Sequence, residues 1–233
     1  MKTVKYIALF SLGLVVGYCL RDVAPKHTGT FISQWLEHPT EVGAITPCSD
    51  YVVDEIVRPL ITHPAKELAV LEVGSGSGIT TDKIVAALSG KQYHLDLVEI
   101  NEVFAQMLKE TYVHNDHITI HRADITQWVP TRKYDVIIST LPFNIFDKET
   151  IQKIFASYKS WVKPGGQLVF IELALFGDLG EFLTLGAEKK EWQEKRAIIT
   201  EFREKYLDHK TTVLKSIPPI YVYYLKMPEV VEL

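Results

Sequence analysis

The sequence predicts a three-layer α/β domain with a mostly parallel sheet, and three observations predict it. From residue 65 onward, short apolar runs of strand length alternate with segments of helical periodicity. A glycine-rich turn directly follows the first of those runs. Acidic residues, Glu72, Glu99 and Asp124, recur at the carboxyl ends of the first three. Strands that alternate with helices are joined by right-handed crossovers, which cover both sheet faces and leave the strands apolar throughout.

The first of the elements lies before this pattern. Basic residues Lys2 and Lys5 precede an apolar run over residues 6–20, and Arg21 and Asp22 follow it. No small-x-small cleavage site follows, so residues 1–22 are expected to be an uncleaved membrane-attachment segment rather than a secretory signal. The run is shorter than the ~20 residues of a comfortable span, and a core helix packed on the domain is the competing reading. Attachment would place the protein on the cytoplasmic face of a membrane. Residues 23–64 read as a helical extension over the active site. Within it, residues 31–37 place Phe31, Ile32, Trp35 and Leu36 at helical spacing, and 39–47 form a loop. Ser49 or Asp50 then caps a helix running to about residue 60, with Val52, Val53, Ile56 and Val57 on its buried face.

Residues 65–233 form the main domain. Strands are expected at 68–73, 93–100, 118–123, 134–140 and 167–173, with helices at 79–88, 101–112, 148–161 and 188–206. Residues 211–215 and 221–226 flank Ile217-Pro218-Pro219-Ile220 and suggest a closing antiparallel hairpin.

Composition narrows the function. The 233 residues are 47% hydrophobic, enough for one sizeable core, and the net charge of −4 disfavours a nucleic-acid partner. Cys19 and Cys48 form no CxxC pair, and the histidines form no HExxH. His114, His117 and His121 gather loosely at a turn entering a strand and show no recognised ligand spacing, so no metal is expected.

The turn after the first strand reads Glu72-Val73-Gly74-Ser75-Gly76-Ser77-Gly78. Glycines so placed let the chain bend sharply and bring backbone N–H groups against a ligand. A dinucleotide fingerprint would want its third glycine where Ile79 stands, and a phosphate-cradling GK[ST] is missing. Glu99 falls about twenty residues on, where an acid accepts hydrogen bonds from ribose hydroxyls. Asp124, with Ile125 beside it, is placed to take an exocyclic amine and pack on a ring.

This set resembles the class I methyltransferases that use S-adenosylmethionine, and Lys163-Pro164-Gly165-Gly166 resembles that family's approach to its fifth strand. The resemblance implies a Rossmann-like, mostly parallel seven-stranded sheet with a C-terminal antiparallel hairpin, and S-adenosylmethionine as cofactor. Glu72, Gly74, Ser75, Gly76 and Gly78 would hold the methionine end, Glu99 and Ile100 the ribose, Asp124 and Ile125 the adenine, and Thr140 would complete the set. The segments 42–49 and 216–223, with Leu141-Pro142 after the fourth strand, resemble bacterial soluble-type phospholipid N-methyltransferases, although Cys48 stands where Ser or Thr is frequent. That likeness implies methylation of phosphatidylethanolamine at a phospholipid membrane surface, with no nucleic-acid partner.

Thr140-Leu141-Pro142-Phe143 also resembles the Asn-x-Pro-aromatic motif of ribosomal-RNA adenine methyltransferases, with Thr140 in place of Asn. RNA is thus the runner-up acceptor, beside a small molecule; a non-catalytic cofactor-binding subunit is the non-enzyme alternative. For an amine acceptor, Tyr51, Leu141, Pro142 and Phe143 are the candidate catalytic residues. Tyr51, Asp50 or the Leu141 carbonyl would take or orient a proton, and Phe143, Phe146 and Tyr51 would face a cationic product.

Overall fold

The computed structural model describes residues 49–143, 145–174, 187–216 and 219–229. The strands are β1 Glu67–Val73, β2 Gln92–Glu99, β3 Ile118–Arg122, β4 Tyr134–Ser139, β5 Val162–Leu173, β6 Leu207–Val213 and β7 Ile220–Lys226. They form a seven-stranded sheet in the order β3-β2-β1-β4-β5-β7-β6. The first five strands pair in parallel, and β7 enters antiparallel between β5 and β6. The helices are α1 Asp50–Ile56, α2 Arg58–Thr62, α3 Ile79–Ala87, α4 Glu102–Thr111, α5 Lys148–Trp161 and α6 Ala187–Tyr206. This is the Rossmann-like architecture expected, with its C-terminal antiparallel hairpin.

Period-two alternation splits the strand residues between two cores. Leu68, Val70, Leu95 and Leu97 pack on one face with Val53 and Ile56 of α1, Ile84 of α3 and Leu108 of α4. Leu71, Val73, Ile137, Leu168 and Phe170 pack on the other with Ile151, Phe155 and Tyr158 of α5 and Tyr206 of α6. Both faces are covered, so the carboxyl ends of the strands form the open rim where a ligand is reached.

The helix expected from Ser49 to about residue 60 is two helices. Val57 separates them, and Pro59, which has no N–H to donate, sits in the first turn of α2 where none is needed. β5 starts at Val162 rather than 167, with Lys163 to Gly166 inside the strand and Gly165 at φ 72°. The register on β4 shifts between Tyr134 and Val136, absorbing that irregularity. β6 occupies 207–213 rather than 211–215; its residues are mostly exposed, so it carries no alternating apolar signature.

The expected N-terminal elements before residue 49 lie outside the described residues, as do Asn144, Ile217 and Pro218. Localisation at the cytoplasmic face of a membrane is corrected: among the described residues no helix is long and apolar enough to cross a membrane. α6 has the length, but Lys189, Lys190, Glu191, Glu194, Lys195 and Arg196 charge it throughout. The segment 6–20, on which attachment rested, lies outside the described residues.

Gly166 packs where no side chain fits: a Cβ there would stand 2.7 Å from Val162 Cγ1 and 2.9 Å from the carbonyl oxygens of Asp135 and Lys163. Gly166→Ala is expected to cost about 1–3 kcal/mol by overpacking, read as a lowered denaturation midpoint in urea at unchanged slope.

Candidate active site

The glycine turn is made by conformations that other residues resist. Gly74, Gly76 and Gly78 have φ of 79°, 52° and 90°. Gly78 is the N-cap of α3, so the helix opens toward the rim. A Cβ on Gly74 would press on Leu141 Cδ2 at 3.1 Å, and one on Gly78 on Leu108 Cδ2 at 3.0 Å.

Two neighbouring strands clamp this turn. From β2, the buried Glu99 accepts the Gly76 N–H at 2.8 Å through Oε2 and the Asn101 N–H at 2.8 Å through Oε1. The same residue therefore links the glycine turn to the start of α4, where Asn101 caps the helix by accepting the Phe104 N–H at 3.1 Å. From the β4 side, Thr140 Oγ1 donates to the Gly74 carbonyl at 2.7 Å, and the Thr140 N–H to the Val73 carbonyl. Thr140 is thus a tie across the cleft as well as a rim residue.

Glu72 lies beneath the turn and is fully buried. Thr81 Oγ1 of α3 donates to its Oε2 at 2.7 Å, while Oε1 has no hydrogen-bond partner among the described residues. Burial pushes its carboxyl up to about 8; the carboxylates of Glu99 and Asp82 add to the rise, and the Thr81 and Ser75 hydroxyls oppose it. Ser75 acts from nearby without reaching hydrogen-bond geometry, and its own buried Oγ has no partner. An unmet carboxyl oxygen beside an unmet hydroxyl suits a ligand bearing an ammonium, whereas the amides of Gly74, Gly76 and Gly78 are engaged by the Val98 carbonyl, Glu99 and the Ser75 carbonyl.

Further along the rim, Asp124 is exposed, and its Oδ1 accepts the Thr126 N–H at 2.8 Å and the Thr126 hydroxyl at 2.9 Å. That turn presents the carboxyl beyond the end of β3. Ile125, expected to lie on a ring, is 7% exposed and packs in the second core. Ile100, 45% exposed, is the apolar side chain that remains at this rim.

The expected acceptor residues are divided. Leu141 and Pro142 are half-buried at the end of β4. The Leu141 carbonyl accepts the Phe143 N–H at 3.1 Å, which engages the oxygen expected to orient an amine. Phe143 itself is corrected: it is 3% exposed and sits among Phe146, Phe155 and Phe170, so its ring serves the core rather than a product. Tyr51 is half exposed, with the Lys215 Nζ 4.6 Å over its ring. Lys215 belongs to the β6–β7 turn, and β7 begins opposite Leu173 at the carboxyl end of β5, so Tyr51 stands at the rim.

His121 pairs with Asp96 at 2.7 Å and His117 packs on Tyr93, so the loose histidine group is split between two structural contacts. Among the described residues no His, Cys, Asp and Glu side chains group to hold a metal. Thr81 and Lys215 were not legible as site residues. Thr81 reads as an ordinary helical residue, and only the positively charged turn residue beside Ser216 hinted at Lys215.

Residues 70–166 match the model of the methyltransferase domain family. Over those residues the chain is similar to the methyltransferase domain family, and the order of its seven strands is the fold on which S-adenosylmethionine is the cofactor expected at the glycine turn. Among curated relatives, malonyl-[acyl-carrier protein] O-methyltransferase 2 of Ilyobacter polytropus is 27% identical over 43% of this chain and 38% of its own. The tRNA1(Val) (adenine(37)-N6)-methyltransferase of Citrobacter koseri is 33% identical over 32% of each chain. The chain thus spans about a third of the length of these relatives. Among solved structures, the N-methyltransferase NodS from Bradyrhizobium japonicum WM9 with S-adenosyl-L-homocysteine superposes at a TM-score of 0.61, covering 92% of this chain and 99% of that one at 14% identity.

Glu72 supplies a pH signature. Between its usual 4.5 and about 8, the folded chain holds a proton that the unfolded chain has lost, so stability falls as pH rises across that window. A ligand ammonium beside Glu72 reverses the preference. S-adenosylhomocysteine binding at pH 7 is expected to release a proton, seen as a buffer-dependent heat by calorimetry, and Glu72→Gln to abolish the release. Gly78→Ala, strained at φ 90°, is expected to weaken the same binding about tenfold or more.

Proposed function

We propose that this chain methylates the amine of an ethanolamine headgroup, with phosphatidylethanolamine as acceptor. The observation that carries this reading is the Tyr51 ring at the rim, which already receives an alkylammonium, that of Lys215, at 4.6 Å. A methylated amine has the same charge and greater apolar surface, and it fits the same ring face. The resemblance of segments 216–223 and Leu141-Pro142 to phospholipid N-methyltransferases supports the same acceptor.

When bound, the cofactor supplies a methyl group made electrophilic by its sulfonium. The residues hold the partners in place. In this reading Glu72 and Ser75, each with an unmet oxygen among the described residues, would hold the methionine end, and Glu99 and Asp124 would meet the ribose and adenine. Leu141 and Thr140 stand against Gly74 and wall the cleft there. Positioning of this kind accounts for much of the rate in a direct transfer. The acceptor amine must arrive neutral, and the proton would pass to Asp50 or Tyr51, both exposed at the start of α1.

An RNA acceptor is less well supported. Base recognition beside the fourth strand calls for an exposed aromatic ring to stack on the base, and Phe143 is buried.

Incubation with labelled cofactor and phosphatidylethanolamine vesicles is expected to yield mono-, di- or trimethylated lipid. Label confined to RNA, or to free ethanolamine, would reject the lipid reading. Tyr51→Ala is expected to lower kcat/KM for the lipid about tenfold while S-adenosylhomocysteine affinity holds, and Tyr51→Phe to retain most of it, since the ring rather than the hydroxyl is used.

A further inference from the structure

Beyond the end of β5 lies a cationic cluster that neither the cofactor nor the methyl transfer uses. Glu172 of β5 is partly buried, its side chain 11% exposed, and two arginines of α6 share it. Arg196 Nη1 lies 3.4 Å from Oε1 and Arg203 Nη1 lies 3.2 Å from Oε2. Both separations exceed the roughly 2.7–2.9 Å of a tight charge-assisted bond. Each guanidinium commits one nitrogen and leaves the rest of its donor fork uncommitted among the described residues. Arg203 Nη1 also donates to Tyr223 Oη at 3.1 Å, with its guanidinium 4.8 Å from that ring.

Lys210 of β6 adds a third cation. It is level with Tyr223 but leans toward the rim, with Nζ 4.3 Å from the Tyr221 ring and 6.0 Å from that of Tyr223. No carboxylate stands within ion-pair distance of Lys210 among the described residues. Two arginines therefore share one carboxylate, and Lys210 lies over the ring of Tyr221, the β7 residue level with Glu172, in a chain whose net charge is −4.

Register puts this cluster beside the transfer site. Ser139, the last residue of β4, is level with Phe170 of β5, and Glu172 follows two residues further toward the rim where Leu141 lies. An acceptor amine held beside Leu141 has its neighbouring substituents directed along this row.

We infer that Arg196, Arg203 and Lys210 form an anion subsite that takes the phosphate group of the acceptor. This rests on the amine reading above and extends it from the nitrogen to the group two carbons and an ester oxygen away. Arginine forks match phosphate oxygens in pairs, and the loose contacts to Glu172 are ones that a phosphate can replace. Glu172 then holds the arginines apart and ready until the anion arrives.

The test is calorimetric titration of glycerophosphoethanolamine, and separately of inorganic phosphate, into the full chain saturated with S-adenosylhomocysteine. Glycerophosphoethanolamine should bind, more weakly as sodium chloride rises. Arg196→Gln and Lys210→Gln should each weaken it about tenfold with cofactor affinity unchanged. Glu172→Gln should tighten it, an outcome that a purely structural ion cluster does not give. Unchanged affinity in both cation variants, or binding of inorganic phosphate alone, overturns the inference. Lipid methylation that persists with no change in KM in Arg196→Gln and Lys210→Gln refutes this subsite and leaves the proposed reaction standing. Arginine-dependent binding without any methylated ethanolamine product refutes the reaction instead.

Discussion

A glycine turn held open between two strands is the constraint on which the site depends. Gly74, Gly76 and Gly78 adopt positive φ, which bends the chain sharply between the end of β1 and the start of α3. Such a turn would close on itself or wander unless its free groups were met. Glu99 meets the Gly76 amide from β2, and Thr140 meets the Gly74 carbonyl from β4. Each tie reaches the turn from a different flanking strand, so the parallel sheet order sets the width of the cleft. Leu141 then approaches Gly74 so closely that no Cβ is accommodated without displacement.

Glu72 shows how the same architecture loads the site for binding. A carboxyl with no exposure is costly to charge, and one hydroxyl satisfies only one of its oxygens. The free chain accommodates this by holding a proton. A ligand that brings a positive group converts the unmet oxygen into an asset, so recognition and protonation are coupled through one buried group.

Aromatic residues serve two purposes at this rim, and burial separates them. Phe143 closes a cluster with Phe155 and Phe170 that ties β4 to β5 and α5. Tyr51 and Tyr221 instead lie beside the ammonium groups of Lys215 and Lys210. Positive charge thus collects around the β6–β7 hairpin in an otherwise acidic chain, although its sources are α6, β6 and the turn.

By itself the sequence determined the order of elements, the parallel core and the glycine turn with its flanking acids. Those features are local: apolar periodicity announces a strand or helix, and glycine spacing announces a backbone shape. The first half of β6 escaped because a strand exposed on both sides has no apolar period, and the break at Val57 was set by one proline two residues later. Tertiary structure decided which side chains the fold spends on itself. Phe143 and Ile125 stand in the same short segments as rim residues, yet packing took them into the core. It also decided partnerships between distant positions, such as Thr81 with Glu72 or Arg196 and Arg203 with Glu172, because a hydrogen bond or ion pair across the fold depends on distances that no spacing along the chain encodes.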